Sequence, residues 1–258
     1  MTIEELNREF GPQIVSDALL VGVMGQLGEK PTFTKRQEIC RQQMETALKQ
    51  SLEQQQQAEA FRARVKQQAE ELLAQLDPQS TPMFVLREPG ACEYYTETDQ
   101  HGGKRLPVFT TPAFVDDFLT ERRLTCEPEE ITVSQLCTAE EKRPSADIAS
   151  ISINLCPRCG EGAMLKREHR DDHEQLLRLY AATVAGKSLC VARELEAALQ
   201  REDLQQRLAA LKNIINHIDP GAPRVHQEII QAAKAVGDAA ALERSTAALL
   251  KYAPSAMA

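Results

Sequence analysis

The chain has 258 residues, a length that allows one large domain or two smaller ones. Its formal net charge of −8, from 38 acidic against 30 basic residues, offers no broad basic face and argues against nucleic acid as a partner. A hydrophobic fraction of 42% supports a globular core, and with 4% aromatic residues and no Trp that core must come from Leu, Ala, Ile and Val, a composition that leans helical.

The chain opens with Thr2 as an N-cap candidate ahead of Glu4 and Glu5, acids that complement a helix dipole. Leu6, Phe10 and Ile14 continue a helical spacing that Pro12 should break, and Gly22, Gly25, Gly28 and Pro31 mark a bend. From Thr34 to Leu76 no Gly or Pro occurs, which predicts one long helix with apolar positions at Ile39, Leu48, Leu52, Phe61, Val65, Leu72 and Leu76. The apolar stripe fades at Glu53–Gln57, so the helix reads as a solvated element or as a partner-docking one. Asp77-Pro-Gln-Ser-Thr-Pro82 is a boundary.

Composition then changes. Met83–Arg87 and Cys92–Thr96 read as strands, Asp99–Gly103 as a hairpin turn, and Leu106–Thr110 as a further strand. Thr111-Pro112 starts a short helix bearing Ala113, Phe114, Phe118 and Leu119, with a Thr hydroxyl as its expected cap. Ile131–Cys137 fits a strand or a helix start, Lys142–Asp147 a loop, and Ala149–Leu155 an alternating strand. Helical pattern returns over Met164–Tyr180 and continues through Ser188–Ile218, Val225–Val236 and Ala239–Tyr252, with turns at Asp219–Pro223 and Gly237-Asp238. The expected fold class is α+β: a helical region over 1–80, a small mixed α/β domain over 81–180 and a helical region over 181–258.

The stretches Leu106-Pro-Val-Phe-Thr-Thr-Pro112 and Ile151-Ser-Ile-Asn-Leu155 resemble the SseB family, whose N-terminal domain carries a strand, a hairpin, a P-x-F-T-[ST] strand end leading into a helix, and a later strand ending in I-N-P. The likeness covers about Met83–Tyr180, and Leu155 stands where the family commonly has Pro. It implies a bacterial protein with a small mixed domain and no catalytic constellation to carry over, and so interaction or regulation rather than catalysis. Gly237–Pro254 is also similar to the second half of a tetratricopeptide unit, although no second copy follows at that period and an ordinary helical hairpin is the simpler reading.

The sharpest local motif is Cys156-Pro-Arg-Cys159-Gly160, where two thiolates two residues apart can chelate one zinc. His169 and His173, four apart on one predicted helix face, would complete a structural set of Cys156, Cys159, His169 and His173, with Cys137 and Cys190 as alternative ligands. The bland alternative leaves the cysteines in a turn and the histidines solvated. A thiol-redox reading of the same CxxC is weakened by Gly160-Glu-Gly162, which interrupts the helix such a site needs. No P-loop, GxGxxG, GxSxG or HExxH occurs, and Gly186-Lys187-Ser188 lacks the upstream glycine and reads as a kink or helix boundary. The pairs Asp116-Asp117, Glu129-Glu130 and Asp171-Asp172 read as solvated faces.

Seven cysteines without regular spacing fit a reducing compartment, no membrane span is visible, and the acidic N-terminus is unlike a signal peptide. The expectation is a cytoplasmic, non-catalytic protein that binds other proteins, including itself through its helices, with no membrane or nucleic-acid partner. No cofactor is expected apart from the zinc alternative, and no residue is nominated for catalysis.

Overall fold

A computed structural model describes residues 35–98, 102–138, 148–158, 160, 162–166 and 172–257. The predicted elements before Thr34, the Lys142–Asp147 loop and most of the Asp99–Gly103 turn lie outside the described residues. The chain divides into two compact units, with the boundary between Arg64 and Val65. That boundary falls inside the first described helix, α1 (Lys35–Leu73). In the first unit α1 supplies the described structure, and Leu48 and Leu52 stand exposed on it.

The second unit carries the mixed α+β fold. Its strands are β1 (Pro82–Arg87), β2 (Glu97–Thr98), β3 (Lys104–Phe109), β4 (Glu127–Thr132), β5 (Ile148–Ile153) and β6 (Ala163–Lys166). They form one sheet in the order β4-β1-β3-β5-β6, with β2 added to β3. Among the described residues only β3 and β5 pair in parallel; β1 with β3, β1 with β4, β2 with β3 and β5 with β6 are antiparallel. Two short helices connect the strands, α2 (Pro112–Arg122) after β3 and α3 (Val133–Thr138) after β4. Then come α4 (His173–Leu199), α5 (Leu204–His217), α6 (Pro223–Val236) and α7 (Ala239–Tyr252).

Period-two alternation sorts the strand side chains into two cores. Met83 and Val85 of β1, Leu106 and Val108 of β3, and Ile151 and Ile153 of β5 join Leu136 of α3 and Leu176 and Leu177 of α4 on one side. Leu73 at the end of α1 and Leu76 just beyond it pack against the same core. Leu86, Phe109 and Leu155 face the other way, onto Phe114, Val115 and Phe118 of α2. A register shift explains why Ile148 shares a face with Ile151: Lys104 pairs with Ile148 but Arg105 with Ser150, so Ala149 is an extra residue.

A third core fills the helical half, where Leu195 of α4 meets Leu208 and Leu211 of α5, Val225 and Ile229 of α6 and Ala241 of α7. Helix ends follow their sequence signals. Asp172, Asp203 and Asp238 cap α4, α5 and α7 through their carboxylates, and Gly237 ends α6 at φ 77°, a left-handed conformation that glycine adopts without the clash a Cβ brings.

Several expectations change. Met164 does not begin a helix: Ala163–Lys166 pairs antiparallel with β5, and α4 starts at His173. Within Cys92–Thr96 the described structure holds only a single bridge, Tyr94 to Arg87, and the strand beside β3 is Glu97–Thr98. Ile131–Cys137 is both things, with β4 ending at Thr132 and α3 beginning at Val133. Gly186-Lys187-Ser188 is not a helix boundary but lies inside α4, and a methyl group on Gly186 would sit 3.8 Å from Val65 of α1.

Candidate functional site

Parallel neighbours β3 and β5 end side by side, and the residue that follows each strand secures the junction. Thr110 donates its backbone N–H to Asn154 Oδ1 at 2.8 Å, and Asn154 Nδ2 donates to Thr110 Oγ1 at 2.8 Å. Asn154 also donates its own N–H to the Val108 carbonyl at 2.8 Å. It sits at φ 51°, and Asn is among the few residues whose short polar side chain tolerates that conformation. Both residues are buried. The hydroxyl expected to cap α2 is therefore used differently: Thr110 ties the strands together, and Thr111, the N-cap residue, makes no side-chain capping bond.

Beyond these strand ends lies a cleft of about 420 Å³. Its apolar walls are Phe114 of α2, Tyr180, Val184, Val191 and Leu195 of α4, and Ala222 at the start of α6. Lys187, Asp219 and Arg224 supply its charges. The crevice outside the carboxyl ends of adjacent parallel strands is where open α/β sheets place their ligands.

The charged groups are held firmly. Lys187 donates to the Ile218 carbonyl at 2.8 Å, and its ammonium lies 4.7 Å from the centre of the Phe114 ring, a cation–π distance. Asp219 Oδ1 accepts the Gly221 N–H at 2.9 Å, closing a turn over which α6 begins. A methyl group on Gly221 would lie 2.8 Å from the Ala113 Cβ, so this turn passes α2 at a distance that excludes a side chain. Burial pushes the Asp219 carboxyl above its ordinary range, against the opposing pull of the Gly221 N–H and the Lys187 charge.

Behind the turn, His226 is buried with Nε2 2.8 Å from the Pro220 carbonyl, so that nitrogen carries the proton, while buried Nδ1 has no hydrogen-bond partner. Desolvation lowers its pKa, against the Pro220 hydrogen bond and the Asp219 charge. Below its ordinary pKa of 6.5 the unfolded chain binds a proton that the folded state resists, so His226 contributes stability above that value and loses it as pH falls through the lower folded value. Asp219 works oppositely, contributing stability below its ordinary 3.8 that fades as pH rises through its raised folded value. The melting temperature of His226→Gln should consequently fall less than that of the parent between about pH 7.5 and about pH 5.5. Parallel pH profiles for the two proteins, followed by circular dichroism, would contradict this placement of the imidazole.

The Cys156-Pro-Arg turn braces the site from the other side. Its backbone closes through Gly160 N–H to the Cys156 carbonyl at 2.9 Å. Arg158 makes two parallel hydrogen bonds to Asp117 at 2.8 Å each, one to Glu121 at 2.9 Å and one to the Asn216 carbonyl at 2.6 Å. Asp117 and Glu121 belong to α2 and Asn216 to α5, so one guanidinium joins both halves of the second unit. Asp116 beside it accepts from Lys251 and Tyr252 at the end of α7. Burial, and after it the hydrogen bond to Asp116, raises the Tyr252 phenol above its ordinary pKa. Asp116 and Asp117 are thus docking groups rather than a solvated face; their partners are remote in sequence, so no local pattern announces them. Glu129 likewise pairs with Arg87 at 3.0 Å, and Asp172 is the α4 cap.

Of the four zinc candidates, Cys156 lies half-buried in this turn and His173 is the first residue of α4, with a buried Nε2 lacking a hydrogen-bond partner. Cys159 and His169 lie outside the described residues. Among the described residues no group of three or more His, Cys, Asp or Glu side chains is arranged around a common metal position. Cys137 is buried in the first core and Cys190 is half-buried. No helix among the described residues is long and apolar enough to cross a membrane.

Compared with known proteins, the chain matches no protein-family model, no curated protein and no solved structure.

Proposed function

We propose that this chain is a non-catalytic regulatory protein of the SseB-like type that acts by binding partner proteins, with α1 as its docking element. The observation that carries this reading is the pair Leu48 and Leu52, exposed at 43% and 56% and one turn apart on α1. Residues four apart share one face of a helix, so the two leucines form a single apolar spot amid Gln, Glu and Lys. Helix-in-groove recognition uses anchors with this spacing. Farther along, Val65, Ala69 and Leu72 are half-buried at helical spacing, and Leu73 and Leu76 are packed on the first core, so this end of α1 is held by the folded body.

The cleft also favours binding over chemistry. Thr110 and Asn154 spend their hydrogen bonds on each other, and the Lys187 ammonium is engaged with the Ile218 carbonyl. Groups committed in this way organise a surface; they are not poised as nucleophile or base. The test is quantitative affinity purification at native expression level, comparing the parent with Leu48→Glu/Leu52→Glu. A protein, or a second copy of the chain, should be recovered at least about tenfold less with the variant, as expected when apolar anchors at an interface centre are lost. Both positions are exposed, so the melting temperature should not change. Equal recovery of every interactor with parent and variant would overturn the assignment to α1.

A further inference from the structure

The cleft at the ends of β3 and β5 has properties that partner docking through α1 does not use. Its volume of about 420 Å³ falls in the range of small-molecule sites, roughly 300–1,000 Å³, and such sites pair apolar walls with a few placed polar groups. Phe114, Tyr180, Val184, Val191 and Leu195 supply an apolar lining long enough for a chain or ring rather than for an ion alone.

The charge at the cleft is unbalanced towards positive. Two cations, Lys187 and Arg224, face one acid, Asp219. That acid is engaged with the Gly221 N–H, and burial works against its ionisation. Arg224 is exposed and makes no hydrogen bond or ion pair with any described residue, which leaves a guanidinium with all its donors available at the cleft. The two helices that begin here add to the same sign: α2 and α6 each start with Pro behind an N-cap, Thr111 or Ala222, that makes no side-chain capping bond. Their first-turn N–H groups keep the partial positive charge of a helix start.

We infer that this cleft binds a small organic monoanion with an apolar body, such as a medium-chain carboxylate, its body along α4 and its acid group at Arg224. The apolar lining rewards the body through burial, and the guanidinium rewards a carboxylate through a charge-assisted bidentate hydrogen bond. The inference stands apart from docking through α1, because its residues lie on α2, α4 and α6 and none of them is altered in the Leu48→Glu/Leu52→Glu variant.

Isothermal titration of the full chain with decanoate, below its micelle concentration, and with 1-decanol tests it. Decanoate should bind saturably at one site and about tenfold or more tighter than decanol, since the alcohol has the body without the charge. Arg224→Glu should weaken decanoate at least about fivefold by reversing the charge. Ser188→Trp should abolish binding, because Ser188 is an exposed residue lining the cleft where an indole would occupy the space of the ligand. Both substitutions are at exposed positions, and unchanged melting curves verify that the variants fold. Absence of saturable decanoate binding, equal affinity for decanol, or indifference to either substitution would each overturn the proposal.

Discussion

Replacing Phe118 with alanine is expected to lower stability by about 3–5 kcal/mol, the cost of deleting a large aromatic side chain from a core that cannot collapse around the void. Phe118 is fully buried on α2, with its ring centre 5.1 Å from that of Phe109 at an interplanar angle of 55°. A tilted pair of this kind adds a favourable ring–ring interaction to the burial of area. Leu86, Val115 and Leu155 belong to the same core, and the Arg122 guanidinium lies 5.9 Å above the ring centre. Because α2 is held to the sheet through this core, its loss also loosens Phe114 and the wall of the cleft. Urea denaturation followed by circular dichroism should show a lower midpoint with an unchanged slope. A loss below about 1 kcal/mol would mean that α2 does not pack on the sheet as described.

Arg158→Ala is expected to cost about 2–4 kcal/mol, more than a surface ion pair would. The side chains of Arg158 and Asp117 are 21% and 18% exposed, so the pair is shielded without being sealed from water. The guanidinium makes four hydrogen bonds that reach α2 and α5, and removing it strips donors from the Asp117 carboxylate and the Asn216 carbonyl together. Arg158→Lys should recover only part of the loss, because an ammonium keeps the charge but not the planar fork that meets both Asp117 oxygens. A double-mutant cycle with Asp117→Ala should return a coupling of about 1–3 kcal/mol. Simple additivity would contradict the bracing role, as would a cost under about 0.5 kcal/mol for Arg158→Ala.

The elements legible from sequence are those whose signals are local. The long helix is read from a stretch without Gly or Pro, and α6 and α7 from their amphipathic spacing with Gly237-Asp238 between them. Strands fail where pairing overrides propensity. Ala163–Lys166, A-M-L-K, has a helical composition, yet its backbone pairs with Ser150–Ile153. Glu127–Thr132 is acidic and contains Pro128, and it is a strand because it lies at the sheet edge beside β1, where proline is tolerated.

The cleft was hidden for a related reason. Thr110 and Asn154 are 44 positions apart, Arg158 and Asp117 are 41 apart, and Asp116 and Tyr252 are 136 apart. Each of these pairs exists only once the sheet and the helices have assembled. The family resemblance passes through Thr110 and Asn154 without giving either a role; the only local clue was an Asn at a strand end, a residue type that accepts the left-handed conformation. In the C-P-R-C turn the cysteines carry the recognisable spacing, and the residue whose contacts the structure describes most fully there is the arginine between them.

Docking of a protein partner at Leu48 and Leu52 is the proposal on which the functional reading rests. Site-specific photo-crosslinking in the cells of origin tests it most directly, with a benzophenone amino acid placed at Leu52 and, as a control, at exposed Glu202. Docking through α1 should give a discrete crosslinked species from position 52, identified by mass spectrometry as one partner or a second copy of this chain, and none of it from position 202. No crosslink at 52 above the level at 202 would contradict it.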